Sequence, residues 1–497
     1  MTSPGLALHS RRGRWVVAAT VLGSSLAMLD GTIVNVALPH IGEDLGASMS
    51  GLQWTLSGYT LALAALILLG GALGDRMGRR RIFVIGTVWF AVASALCALA
   101  PDVTMLVVAR VLQGVGAALL TPGSLAIINA SIQEDDRGAA IGLWSGLGGI
   151  ASAIGPLIGG WLVESVGWRA VFLMNLPLAV VVVWVALRHV PESRDPDAPD
   201  KLDVVGSVLA VLGLGLITYG LIEVRPLFTV AGLLAMAVFV QVERTSPHAL
   251  VPPSLFRSRV FTAANLVTFA VYAALGGVFF LLLMQLQIVA GYSPIEAGAA
   301  TIPITLLMLV LSARAGRYAQ HHGPRLLMTV GPAIAAAGLL LMLRIGPDAS
   351  YVIDVLPGVL VFGLGLSALV APLTAAVLGS VPVVQSGIAS GVNNAIARTS
   401  QLLAVAALPA LAGISGIGVG QSEQFSHGFR VAMLICVGLL AVGAVVAGVL
   451  IRNPATPPED DTVATVPRCD VTGPAVAPGP QYPGPQYPQY HGERGNP

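Results

Sequence analysis

The sequence predicts an all-α membrane protein of two six-helix bundles plus an inserted helix pair, fourteen transmembrane helices in total. Three observations carry this expectation. Of 497 residues, 55% are hydrophobic and only 10% are charged, where a soluble domain carries about 25% charged residues. Fourteen apolar stretches are long enough to cross a bilayer core, which takes about 20 residues as a helix. A loop pattern after the second stretch, Gly71, Asp75, Gly78 and Arg80, returns after the tenth as Gly316, Gln320, Gly323 and Arg325 at the same spacing. The same pattern on the same side of the membrane implies two halves of parallel topology.

The first bundle covers residues 15–190. Its first helix, 15–38, follows a short N-terminal arm (1–14) with Arg11, Arg12 and Arg14. It is too long for a signal-peptide core, contains Asp30 and lacks a small-residue cleavage site, so it is expected to stay in place. The second helix, 53–73, ends at the Gly71–Arg81 pattern, and 82–100 and 104–127 follow. Arg137 precedes 138–163, and 170–190 closes the bundle near Arg188 and Arg194. Helices 203–222 and 226–242 fall outside the repeat and form the inserted pair, residues 203–242. The second bundle, 261–451, follows Arg257 and Arg259 with helices 261–286, 297–313, 325–344, 352–372, 388–412 and 428–451. The tail, 453–497, carries many prolines and the near-repeat Gln-Tyr-Pro-Gly-Pro-Gln-Tyr-Pro. It lacks the apolar content for a core and is expected to be disordered.

Arginine placement orients the helices. Loops on the N-terminal side hold most of the basic residues, while those on the other side hold only Arg169, Arg225, Arg344 and Arg430. The positive-inside rule then puts both termini and the tail in the cytoplasm, with the chain multi-pass in the cell membrane. The net charge of +1 gives no argument for nucleic acid as a partner. Cys97 and Cys436 lie in apolar segments and Cys469 in the tail, without metal or disulfide spacing. No nucleophile–base constellation points to an enzyme, and no Gly-x-x-x-x-Gly-Lys-Ser/Thr loop points to ATP.

Asp30 is the most telling residue. At 1.5 Å per residue from Trp15 it lies roughly 22 Å along the first helix, where a carboxylate is costly and defaults to an ion path, proton relay or counter-charge. Arg110 is its opposite number in kind, a cation inside an apolar segment that needs an anion or backbone carbonyls. The loop Gly71, Asp75, Arg76, Gly78, Arg79, Arg80 reads as a tight turn with a charge clamp that holds the bundles together on the cytoplasmic side. Gly155 and Pro156 mark a bend. Gly142, Gly146, Gly149, Ser152, Gly155 and Gly159 form a small-residue face for close packing. Asn35, Trp54, Tyr59, Gln113, Phe280, Met284 and Gln285 are candidates for lining a substrate cavity, with adaptable apolar contacts and a few orienting amides.

These segments resemble the major facilitator superfamily, and within it the fourteen-helix drug:proton antiporter group. The Gly71–Arg81 loop resembles the superfamily signature, and Arg110-Val-Leu-Gln-Gly-Val-Gly resembles its helix-four motif. Gly155-Pro156-Leu-Ile-Gly159-Gly160 resembles the antiporter motif. Leu29–Pro39, Trp168–Pro177, Leu202–Gly206 and Gly291–Gly298 are similar to motifs of the fourteen-helix group. The resemblance implies a proton-coupled exporter of small amphipathic drugs or antibiotics that works by alternating access. Protons are its coupling ion, no cofactor or metal is expected, and a single chain is expected to function as a monomer in the bilayer. Asp30 and Arg110 would carry proton coupling. Two departures stand out: Gln320 replaces the aspartate of the second loop, and Gly391–Gln401 matches its family counterpart only in part. A carrier for an amino acid or sugar, or a non-transporting receptor or scaffold, are the alternative readings.

Overall fold

A lipid environment offers backbone N–H and C=O groups no partners, so a spanning chain must satisfy them within helices. The computed structural model describes residues 5–195, 203–246, 250–382, 385–415 and 422–453; the proline-rich segment from 454 onward lies outside them. Among the described residues the chain is all-helical, in fourteen long segments. The first six are α1 (Arg11–Leu45), α2 (Met49–Met77), α3 (Arg79–Ala98), α4 (Val103–Ser131), α5 (Glu134–Ser165) and α6 (Arg169–His189). Then come α7 (Val204–Ile222) and α8 (Pro226–Thr245). The last six are α9 (Arg259–Val289), α10 (Pro294–His322), α11 (Arg325–Met342), α12 (Tyr351–Gly379), α13 (Ser386–Leu411) and α14 (Ser422–Leu450). Of these, α13 is the polar exception, and the other thirteen are long and apolar enough to span a membrane.

Packing repeats between the halves. In the first, α4 packs on α2 and α3, α1 on α5 and α6, and α3 on α6. In the second, α12 packs on α10 and α11, α9 on α13 and α14, and α11 on α14. Each contact has its counterpart eight helices later. The halves meet along two seams related in the same way, α2 with α13 and α5 with α10. The inserted helix α7 lies along the first seam, touching both α2 and α13, and α8 packs on α7. Val88, Trp89 and Val92 on α3 and Leu227, Leu233 and Leu234 on α8 are exposed. Apolar surface on this scale suits a hydrocarbon solvent.

Several sequence boundaries move, the tenth helix running on from 313 to His322 among them. The first helix runs past Pro39 to Leu45, because the polar segment after the apolar run stays helical until Gly46 turns left-handed. The Gly71–Arg81 pattern is not an extended loop. Gly71, Asp75 and Arg76 sit in the last turns of α2, and the whole reversal is made at Gly78, whose φ of 118° suits only glycine. Gly323, with φ 84°, makes the corresponding break between α10 and α11.

Small residues set the helix crossings. A Cβ on Gly116 of α4 would lie 2.6 Å from the backbone nitrogen of Phe90 on α3. Gly116→Val should therefore destabilise the fold by about 1–3 kcal/mol, the usual cost of overpacking. Gly215→Val, where no atom lies within 4 Å, should be neutral. Thermal survival of the monodisperse protein in detergent measures both.

Candidate functional site

A carboxylate in the membrane interior persists only if other groups supply what water would. Asp30, 1% exposed on α1, is held by residues of two other helices. Arg110 of α4 donates through Nη1 to Asp30 Oδ2 in a fully buried ion pair. Gln113, one turn on, donates to Oδ1 at 2.8 Å, and Asn175 of α6 donates to the same oxygen at 3.1 Å. Gln113 and Asn175 also reach Ser94 of α3, at 2.7 and 3.3 Å. The i, i+3 spacing of Arg110 and Gln113 puts both on one face of α4.

Arg110 in turn is anchored on α2. Its Nε donates to the carbonyl of Thr55 at 2.9 Å, and its guanidinium lies 4.4 Å from the centre of the Tyr59 ring. The Tyr59 hydroxyl donates to the Ala27 carbonyl on α1, one turn before Asp30. Nη2 of Arg110 has no partner among the described residues. Five of the six helices of the first half thus converge on one charge pair. Asn175 and Ser94 were missed by sequence reasoning. Asn175 lies inside a motif noted for its resemblance, and that was the available signal.

The loop charges find their partners inside the first half. Asp75 pairs with Arg79 at 2.7 Å, within its own turn. Arg80 and Arg81 donate backbone N–H groups to Glu192 at 3.0 and 3.2 Å, and Arg80 Nη1 reaches the Val190 carbonyl. The backbone N–H of Asp195 donates to the Asp75 carbonyl. These bonds lace the segment after α6 to the α2–α3 turn, so in this conformation the loop is tied within the first half. Glu192 is the acid at the α3 N-terminus, where the helix dipole favours it. Arg76 is exposed. In the second half, Asn453 occupies the equivalent place: its Oδ1 accepts from Arg325 N at 3.1 Å and its Nδ2 donates to the His322 carbonyl at 2.9 Å. Each cap stands three residues beyond its helix end, an acid in one half and an amide in the other.

The antiporter-type bend is a three-helix crossing. Gly155 and Gly159 of α5 accept Thr32 and Ile33 of α1, the turn after Asp30. Gly160 faces Pro294 and Ile295 of α10, and Pro156 faces Gly298. The face of α5 that carries Pro156 and Gly160 continues to Gly149, Gly146 and Gly142, where an added methyl would meet no atom within 4 Å. Those three glycines therefore make no close packing here, contrary to expectation. The α5–α10 seam is thus closed at the end away from the termini and open on this face toward them. At the shut end, Gln53 donates to the carbonyls of Val405 and Ala406, and Gln287 to that of Val36.

The cavity candidates scatter. Tyr59 and Gln113 belong to the Asp30 cluster. Phe280, Met284 and Gln285 are buried inside the second half, where Gln285 donates to the Ile345 carbonyl at 2.9 Å. Trp54 donates to Glu223 of the inserted pair at 2.9 Å. Asn35 is half-buried and bonded to the Gly31 carbonyl of its own helix. They do not form one chamber.

The sequence profile of the Major Facilitator Superfamily matches residues 20–405. The chain belongs to the Major Facilitator Superfamily. Among its relatives, the puromycin resistance protein pur8 of Streptomyces alboniger is 35% identical over 460 residues, 88% of this chain and 91% of that one. The tetracenomycin C resistance and export protein of Streptomyces glaucescens is 36% identical over 412 residues, 80% of this chain and 76% of that one. The POT family transporter PepTSo shares the fold at a TM-score of 0.67, with 17% identity over 88% of this chain and 97% of that one. This facilitator is a transporter, not an enzyme.

The ion pair should be energetically coupled. Arg110→Leu alone leaves a buried carboxylate unpaired, a change that costs about 3–5 kcal/mol. Adding Asp30→Asn should restore much of the lost thermal stability. A double variant that melts no higher than Arg110→Leu would contradict the coupling.

Proposed function

We propose that this facilitator exports small amphipathic drugs or antibiotics across the cytoplasmic membrane in exchange for protons. Both termini lie in the cytoplasm, and one chain is the working unit. The export reading is supported by the resistance and export proteins among its relatives. The arginine distribution supports the orientation. The observation that carries the coupling is the fully buried Asp30–Arg110 pair.

An ionised Asp30 is stable only while Arg110, Gln113 and Asn175 surround it. Protonation removes the charge that holds Arg110, which must then turn to carbonyls such as that of Thr55 or to the open Nη2 side. The change is carried along one rigid element. Thr32 and Ile33, within one turn of Asp30, seat α1 against Gly155 and Gly159, and α5 in turn bears on α10. A shift of α1 on gain or loss of the proton therefore acts directly on a seam between the halves. With the termini in the cytoplasm, the described conformation is closed outward and parted inward, one end of an alternating-access cycle.

Two outcomes follow. Asp30→Asn should remain folded in the membrane yet lose proton-driven efflux by about tenfold or more, the reach of one well-placed charge, measured as accumulation with and without a protonophore. Wild-type rates in that variant would sink the coupling role. Gly146→Trp meets open space here, so expression and melting should hold while transport fails, because the bulky ring obstructs closure of the inward side. Unimpaired transport would show that this face never closes.

A further inference from the structure

The α2-facing stripe of α13 contains one residue that the coupling scheme leaves unused. Gly391 meets Leu68 of α2, Ala395 packs with the core of the first half, and the Val405 carbonyl accepts from Gln53. These positions recur at helical spacing, and Arg398 falls among them on the same stripe. It therefore stands at the seam between the halves, partway between the contact with Leu68 and the contact with Gln53.

Arg398 is half-buried. Among the described residues it has no ion pair, hydrogen bond or ring stacking. Asp30, the buried carboxylate of the first half, is already satisfied by Arg110, Gln113 and Asn175. Among the described residues of the two bundles, one half thus holds a closed pair and the seam holds an uncompensated cation. A guanidinium at that depth is costly until an anion joins it. Its planar fork suits carboxylate-like oxygens.

We propose that Arg398 recognises an acidic group on the cargo. The preferred substrates are then amphipathic compounds with an apolar or aromatic body and one anionic group, such as a carboxylate, sulfonate or ionised phenol. This rests on the export reading and narrows it to a substrate class.

The test compares two dyes with the same tricyclic core and opposite charge, fluorescein (anionic) and rhodamine 6G (cationic). Equilibrium binding is read by fluorescence polarisation on the full chain in phosphatidylcholine nanodiscs, which carry no net lipid charge. The wild type should bind fluorescein about tenfold more tightly than rhodamine 6G, or better, as a desolvated charge pair allows. Arg398→Gln should lose that preference, and Arg398→Lys should keep most of it. Rhodamine 6G binding as tightly as fluorescein to the wild type, or an Arg398→Gln variant with unchanged fluorescein affinity, would overturn the proposal. If Arg398→Gln fails to elute as a folded monomer, the wild-type dye ratio and the Arg398→Lys variant still decide. The readout needs no pH gradient. Failure of proton-driven export in proteoliposomes would therefore strike the export reading and leave this ratio to be judged by itself.

Discussion

The buried pair of Asp30 and Arg110 constrains the whole first half. Neither charge is tolerable alone in the membrane interior, so the surrounding helices must arrive where their polar groups meet it. Ser94 on α3, Gln113 on α4 and Asn175 on α6 do so with side chains, and α2 contributes the Thr55 carbonyl and the Tyr59 ring. The result ties helix positions to the protonation state of one carboxylate. A bundle held only by apolar contacts would have no such dependence, since lipid tails match its side chains in polarity.

The two halves share a packing scheme but not a charge scheme. The α2–α3 turn carries Asp75 and is capped by Glu192, while the α10–α11 turn carries Gln320 and is capped by Asn453. Both turns reverse at a glycine of positive φ, so backbone geometry is kept while charge is removed. The first half thus holds the buried ion pair. The second is nearly neutral inside, which leaves Arg398 as its electrostatic feature at the seam. The asymmetry is one of charge within a shared backbone plan.

The α1–α5–α10 crossing joins the two. Glycines let α5 sit directly on the turn after Asp30 at one side and on the start of α10 at the other. Close contact of this kind transmits small displacements, because packed backbones have few intermediate arrangements. The same face of α5 lies open further toward the termini, so the crossing also works as a fulcrum.

Much of this was legible in the chain. Apolar run length revealed the helices, because a bilayer imposes it on every span. The expense of Asp30 and Arg110 marked them as groups that need partners, and the loop spacing revealed the repeat. What the residues alone left open was partnership. Asp30 lies 80 positions from Arg110 and 145 from Asn175, and no local pattern encodes separations of that length. Gln113 and Tyr59 looked like cavity residues for the same reason: an amide or a phenol on an apolar helix does not declare which face it occupies. Asp75 did not declare its partner either, and only the packed structure showed Arg79 pairing with it and Glu192 closing that turn. Sequence by itself determined the helical membrane fold, the repeat and the costly charges, all set by local chemistry. Tertiary structure alone decided which charges cancel, which glycines touch, and that Arg398 stays uncompensated, since those depend on contacts between helices distant in the chain.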